Sequence, residues 1–429
     1  MTGASNRTIL FATFGSLGDL HPLLHVAVEM KARGFTPVFA VPPEFAPKIE
    51  RVGLEARIVF PSNAEIGAMI GGDAAEIMRQ MVTEMDQMIH KVLLTLLPDT
   101  VARLTEAARG AAAIVAPSFF APVAIVAERL RIPQVTAVLQ PLMMFSAYDA
   151  PLSADLWMFA PGRRRGLALA WNKAIRPLVF AEMRRRYAPK VNRLRRDLGL
   201  PPTDHAPVFG IPKSAVLALG LYSPHIAPPR PDMHPKTLIT GFTFFDSASG
   251  DVETLDAEAE AFLAAGGAPI VFTLGSFAVH APGSFFTASI AIARKLKRRA
   301  ILLTGADLGL PPSSDVLVRN YLPHSLIFPR AAGIVHHGGM GTTAQALRAG
   351  KPQLAVPHFG DQFDNASRLK RLGVADITSP KRYAAEGETK LARLLSDGVV
   401  QQKAASLAPL ISAENGAATS ADAIARAIA

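Results

Sequence analysis

The chain has no cysteine, which excludes disulfides, thiolate metal sites and cysteine nucleophiles and fits a cytoplasmic protein. Charged residues are scarce, at 19% against 49% hydrophobic, the reverse of a disordered chain. Long apolar runs are missing too. The longest, residues 111–127, is interrupted by Pro117, Ser118 and Pro122 and sits at the lower limit for crossing a bilayer, so it reads as a buried strand, turn and helix. The polar residues 1–7 lead only into a brief apolar stretch at 9–14, too short for a signal-peptide core, and no secretion is expected. Short-period repeats and low-complexity tracts are absent.

What remains is a chain of 429 residues with a formal charge of +10 and a pI near 9.9. That length exceeds the usual size of one core and implies two domains. The charge implies an anionic partner: nucleic acid, an anionic membrane surface or a phosphorylated substrate. The arginine clusters lack a recognised nucleic-acid module, which sets nucleic acid aside.

Short apolar strands alternate with amphipathic stretches from the start: strand 8–14, helix 22–33, strand 36–41 and a helix start at Pro43, then strands at 113–116 and 134–138. This is the rhythm of a doubly wound parallel sheet. Pro22 is placed in a first helical turn and Gly34 at that helix's end. The rhythm breaks at residues 149–200, a helical region carrying arginines 163–165 and 184–186 with Trp157, Phe159, Trp171 and Phe180. Such a run is by default a solvated helical face, and its interleaved aromatics also suit a helix on anionic lipid. A proline-rich passage, 224–235, and the acidic 251–260 mark an interdomain linker at 226–260, with hinge motion expected about it. Alternation then restarts: strand 270–274, helix 285–297, strands 300–304, 316–319 and 333–336, helix 342–349, strand 353–356. The expected domains are 1–225 and 261–410, with a final helix in 411–429 returning to the first.

The most informative segment is Ile334-Val335-His336-His337-Gly338-Gly339-Met340-Gly341-Thr342-Thr343. A strand running through glycines into a helix aims free backbone N–H groups and a positive helix end at one spot, which suits a phosphate. The threonines can cap the helix, and a histidine at the strand end can donate to a diphosphate oxygen. Gly339-x-Gly341-x-x-Ala344 also meets a weak dinucleotide pattern, which would make the protein an NAD(P)-dependent oxidoreductase. Against this, Asp361 falls in a loop, Pro357-His358-Phe359-Gly360-Asp361-Gln362, instead of ending the next strand. A carboxylate and an amide there suit the vicinal hydroxyls of a sugar. In the first half, Phe14-Gly15-Ser16-Leu17-Gly18-Asp19-Leu20-His21-Pro22 places an acid after the first strand. An aspartate beside a helix start is ordinarily a cap with a low pKa and a weak base. His21 is a second candidate by its unperturbed pKa.

The histidine–glycine turn, Gly350-Lys351-Pro352 and the Asp361-Gln362 loop together resemble the donor signature of the UDP-glycosyltransferase superfamily, similar to bacterial natural-product, sterol and rhamnolipid-type enzymes. The resemblance is strongest over 269–376, clear over 8–34, and visible in Leu198-Gly199-Leu200-Pro201 and Thr240-Gly241-Phe242. It implies the GT-B fold, two Rossmann-like α/β domains with doubly wound parallel sheets facing each other across a cleft. It further implies that His336 and the turn Gly339, Met340, Gly341 and Thr342 hold the donor diphosphate, with Ser276 on another phosphate oxygen. Asp361 and Gln362 would bind sugar hydroxyls, Tyr321 with Leu322 would stack on the base, and Asp19 would be the catalytic base. The implied activity is metal-independent, inverting hexosyl transfer from a UDP- or dTDP-sugar co-substrate to a hydroxyl of a small hydrophobic or lipid-like acceptor. No cofactor is implied, and peripheral contact with the inner face of an anionic membrane would fit such an acceptor. A catalytically silent nucleotide- or membrane-binding partner protein is the alternative from another class.

Overall fold

Thr8–Ala12 forms strand β1, fully buried after its first residue. The computed structural model describes residues 7–72, 76, 80, 84–246, 254–275, 279, 282–310 and 313–429. The chain divides into Met1–Phe245 with Asn415–Ala429 (unit 1) and Asp246–Glu414 (unit 2).

In unit 1, β1 is joined by β2 (Thr36–Val41), β3 (Glu55–Ile58), β4 (Ala113–Pro117), β5 (Gln134–Val138), β8 (Leu217–Gly220) and β9 (Thr237–Ile239), in the spatial order β3-β2-β1-β4-β5-β8-β9. All neighbours in this sheet are parallel. A two-residue ribbon, β6 (Asp149–Ala150) with β7 (Gly162–Arg163), lies in the β5–β8 connection. Successive strand residues feed opposite cores: Ile9, Phe11 and Phe39 one, Leu10, Ala12 and Val38 the other. Strands covered on both faces carry unbroken apolar runs, which is why they read so clearly in sequence. Helix α1 (Leu17–Ala32) shares the first core with α5 (Gly416–Ile428), whose Ala417, Ala421 and Ile424 are buried there.

Helix α1 begins at Leu17 and not at Pro22, because Ser16 caps it, so the proline sits inside the helix. The arginine-rich region is a 32-residue helix, α2 (Gly166–Asp197). Arg195 is buried within it, its guanidinium forked onto Glu128 at 2.5 and 3.2 Å. The linker expectation is corrected. The proline-rich passage belongs to unit 1, where it leads into edge strand β9, and the chain changes unit at Phe245/Asp246.

Unit 2 holds β10 (Ile270–Thr273), β11 (Ala300–Leu303), β12 (Val316–Arg319), β13 (Gly333–His336), β14 (Gln353–Ala355) and β15 (Ala375–Ile377). They form a parallel sheet in the order β12-β11-β10-β13-β14-β15. Helices α3 (Met340–Arg348) and α4 (Gln362–Leu372) follow β13 and β14.

Candidate functional site

Each sheet reverses its strand order once near the middle, between β1 and β4 in unit 1 and between β10 and β13 in unit 2. Ligands of open parallel sheets bind outside the carboxyl ends of strands at such points. The two loops singled out in the sequence lie at these two places.

In unit 1 the chain leaves β1 through Gly15, at φ +103°, where a Cβ would lie 2.7 Å from Asp19 Oδ2. Ser16 is the N-cap of α1, accepting from Gly18 N at 3.2 Å, while its own N–H and hydroxyl donate to Asp19 Oδ2 at 2.8 and 3.0 Å. Asp19 thus closes a capping box. The expectation of a low pKa is overturned. Burial of the carboxyl raises it to about 6, outweighing the lowering by the Ser16 N–H and hydroxyl, although the side chain keeps part of its surface open. A carboxylate with that affinity is a far better proton acceptor near neutrality than an ordinary aspartate.

His21 does not join it. Two residues on along a helix is a rotation of roughly 200°, and the His21 ring packs on Phe245, 5.1 Å between centroids. Its Nε2 lies 2.8 Å from Lys48 Nζ, and since an ammonium can only donate, the ring nitrogen accepts. Two residues past β1, Phe14 packs on the second core of unit 1, meeting the buried Phe60 and Phe120 at 5.8 and 5.0 Å and the half-buried Phe119 at 5.7 Å. This aromatic wall follows β1, β3 and β4 and was missed in the sequence, where single phenylalanines after separate strands give no pattern.

In unit 2, His336 ends β13 fully buried, with both ring nitrogens committed: Nε2 to Gln353 Oε1 at 2.9 Å, and Nδ1 accepting from Gly338 N at 3.1 Å. Burial pushes its pKa down to about 4, fixing a neutral ring protonated on Nε2. The expectation that His336 meets a diphosphate is therefore corrected, because no ring nitrogen is left for a ligand. Its neighbour His337 points elsewhere, the two rings being nearly perpendicular at 88°. The His337 ring fits against Gly275 and Gly339, where any Cβ would overlap it. Its Nδ1 is buried and has no hydrogen-bond partner among the described residues, and burial, then the neighbouring His336, His358 and His324, hold its pKa well below the ordinary value.

Immediately after it, α3 starts at Gly339 with no side-chain cap. The first-turn N–H groups of Met340, Gly341 and Thr342 have no partner within the helix. Neither threonine supplies a cap, contrary to expectation: Thr342 and Thr343 are buried, and Thr343 Oγ1 is unpartnered among the described residues. The open helix start thus lies next to Gly339, against which the His337 ring packs, and a helix start without a side-chain cap suits an anion.

The Asp361 loop is tied to this turn by Asn365, fully buried, whose Nδ2 donates to Gly338 O at 3.0 Å and to Asp361 Oδ2 at 2.7 Å. Gly338, at φ +89°, lets the Gln362 backbone approach, since a Cβ there would lie 2.9 Å from Gln362 O. Gln362 Oε1 accepts from His358 N at 2.8 Å and Phe359 N at 3.3 Å, bracing the loop. Asp361 is the N-cap residue of α4, well beyond the end of β14 at Ala355, which removes the strand-end acid that a dinucleotide site needs. Tyr321 is half-buried, its hydroxyl donating to Asp246 Oδ1 at 3.2 Å, and the same carboxylate accepts from the N–H groups of His324 and Ser325 at 3.2 and 2.5 Å. Leu322 does not stack on anything external, because its side chain is buried in the core with Leu317, Ile327 and Phe328. Ser276 lies outside the described residues.

Comparison with known proteins follows the same lines. Residues 305–425 match a family described as "Erythromycin biosynthesis protein CIII-like, C-terminal domain". The chain is 30% identical to O-mycaminosyltylonolide 6-deoxyallosyltransferase of Streptomyces fradiae, covering 95% of this chain and 94% of that one. It is 31% identical to vancomycin aglycone glucosyltransferase of Amycolatopsis orientalis over 85% and 84% of the two chains. Among solved structures, the glycosyltransferase VinC in complex with dTDP aligns over 98% of this chain and 99% of its own, with a TM-score of 0.66 at 18% identity.

Proposed function

The chain belongs to the UDP-glycosyltransferase superfamily, a glycosyltransferase of the natural-product and sterol type with the GT-B fold, and on that premise we propose how it works. The reading is metal-independent, inverting transfer of a hexose or deoxyhexose from a UDP- or dTDP-sugar to a hydroxyl of a small apolar or lipid-like acceptor. The observation that carries it is the uncapped start of α3 with the His337 ring packed against Gly339, its Nδ1 unpartnered among the described residues. Met340, Gly341 and Thr342 N–H groups and His337, in the role first given to His336, receive the diphosphate and stabilise the charge it gains on departure. Asp361 and Gln362, held to that turn by Asn365 and Gly338, receive the sugar hydroxyls, and Tyr321 receives the base. In unit 1, Asp19 takes the proton of an acceptor hydroxyl seated against Phe14, Phe60 and Phe119, and the resulting oxygen attacks the anomeric carbon as the C–O bond to the diphosphate breaks. The dTDP bound in VinC supports a pyrimidine donor. The aromatic wall supports an apolar acceptor, and a peripheral contact with an anionic membrane belongs to the same reading.

Calorimetric titration with UDP, dTDP and NADH tests the donor half. Binding of UDP or dTDP that His337→Ala weakens and His336→Ala spares at a temperature where both are folded is the expected result. Binding of NADH alone overturns it.

A further inference from the structure

The connection between β5 and β8 leaves more apolar surface outside than its neighbours do. Along the first half of α2, Leu167, Trp171, Ala174 and Leu178 recur at spacings that put them on one helical face. All four are exposed, Leu167 to 92%, while Asn172 and Ile175 anchor the opposite face in unit 1. Trp157 is 79% exposed and is brought to the same stripe, because Trp171 Nε1 donates to Met158 O at 2.8 Å. Asn172 holds the strap down as well, through Ala147 O at 3.2 Å and Ala160 O at 2.9 Å. These are the only two tryptophans of the chain, and a cluster of large apolar side chains left in water marks an interaction surface.

At the amino end of the stripe opens a cavity of about 440 Å³ whose lining includes Tyr148, Arg163, Arg164, Arg165 and Arg230 and contains no carboxylate. Among these arginines, Arg163 has Asp149 at 3.9 Å. Arg230 Nε is buried and unpartnered among the described residues, a donor whose desolvation an anion would offset. Lys173 Nζ stands 4.6 Å from the Tyr148 ring centre. Farther along α2, Arg184 and Arg185 are exposed, and Glu182 is already bonded to Arg185 and Arg186.

We infer that this face of unit 1 docks on an anionic phospholipid bilayer. The arginine-lined cavity receives a lipid phosphate, Trp157 and Trp171 lie in the headgroup layer, and Leu167 and Leu178 enter the acyl boundary. Charge selects the occupant: a second copy, meeting this face through a two-fold axis, would set the same arginines against one another, whereas an anionic surface complements them. The inference deepens the membrane contact in the proposed function and rests on that part alone, so sugar transfer does not enter its test.

Because both tryptophans sit on the proposed face, their emission reports on it directly. The full chain is mixed with vesicles of phosphatidylcholine, or of phosphatidylcholine with phosphatidylglycerol, and binding is followed by emission and flotation. A blue shift with flotation is expected only with the anionic vesicles. Arg164→Glu with Arg165→Glu should weaken binding at least about tenfold, and Leu167→Asp with Leu178→Asp should abolish the shift. An unchanged denaturant-unfolding midpoint in these variants shows that they are folded, so failure of the donor assignment leaves this result readable. The proposal is overturned if the wild type does not float with anionic vesicles, if neutral vesicles bind it equally, if inorganic phosphate alone gives the same shift, or if sedimentation shows self-association that the Leu167 variant abolishes.

Discussion

The starts of α1 and α3 are built alike and finished differently. Each follows a parallel strand through a glycine turn at the strand-order reversal of its sheet. At α1 the chain fills the helix end itself, with Ser16 and Asp19 satisfying the first donors. At α3 no side chain does so, and the ring of a neutral histidine, its Nδ1 unpartnered among the described residues, packs against Gly339 at the open end. A self-filled end has no room for an external anion, and its own carboxylate becomes the reactive group. An open end is an anion receptor. On the proposed reading, one local geometry serves proton removal in unit 1 and leaving-group stabilisation in unit 2.

The comparison can be broken most forcefully at Asp19. Asp19→Asn keeps the shape of the cap and should lower kcat by about 10²–10⁴-fold with donor affinity unchanged. Because burial raises the Asp19 pKa, its ionised form stabilises nothing. Any stability from this group is complete only below the unfolded pKa and is lost as pH rises through about 6. Asp19→Asn should therefore leave Tm at neutral pH unchanged or raise it, and a fall in both activity and Tm would demote Asp19 to a structural cap.

At the other end, His337→Ala should weaken UDP or dTDP binding roughly ten- to hundredfold, the worth of one hydrogen bond to a charged group. His336→Ala instead breaks two core hydrogen bonds and should lower stability by about 1–3 kcal/mol, measured by denaturant unfolding. The reverse pattern would return the ligand to His336. Gly341, where a side chain has open space, allows an acid to be placed in the first turn of α3, as Asp19 stands in that of α1. Gly341→Asp should cost roughly tenfold in donor affinity by repelling the diphosphate while adding up to about 1 kcal/mol of helix stabilisation.

The smallest effect concerns the cap. With Asp19 as base, kcat/KM should fall about tenfold per pH unit below about 6. Ser16→Ala removes the hydroxyl that lowers the Asp19 pKa, so the acid limb should move to higher pH at a cost of about 1 kcal/mol of stability. An unmoved limb would mean that another group controls the profile.

Where a residue's role depends on its immediate neighbours in the chain, the sequence was legible. Strands at 36–41, 134–138, 316–319 and 333–336 have the bounds expected of them, because mostly apolar, largely buried strands stand out between polar or glycine- and proline-marked turns. The donor loop was legible for a similar reason, since its glycines mark where backbone must approach backbone. Roles set by distant residues were not. Choosing between His336 and His337 requires knowing that Gln353, on the neighbouring strand, captures the first. The Asp19 pKa depends on desolvation by the folded surroundings, whereas its capping partners, visible in the sequence, push the other way. Strand β9 escaped because it has three residues, all half-buried, after a proline-rich stretch that mimics a linker. Leu322 was grouped with Tyr321 only because the two are adjacent in the chain, whereas its side chain lies in the core.

The placement of α5 has a consequence for biosynthesis. Ala417, Ala421 and Ile424 complete the same core as Ile9, Phe11 and Leu20, so the core of unit 1 is assembled from segments translated before and after unit 2. Unit 2, encoded entirely in between, has its whole sequence available first. Translation order therefore runs against the usual amino-terminal-first sequence of folding. Unit 1 therefore keeps part of an apolar face uncovered until residues 417–424 are made, after all of unit 2, and their arrival, not local strand pairing, closes its core.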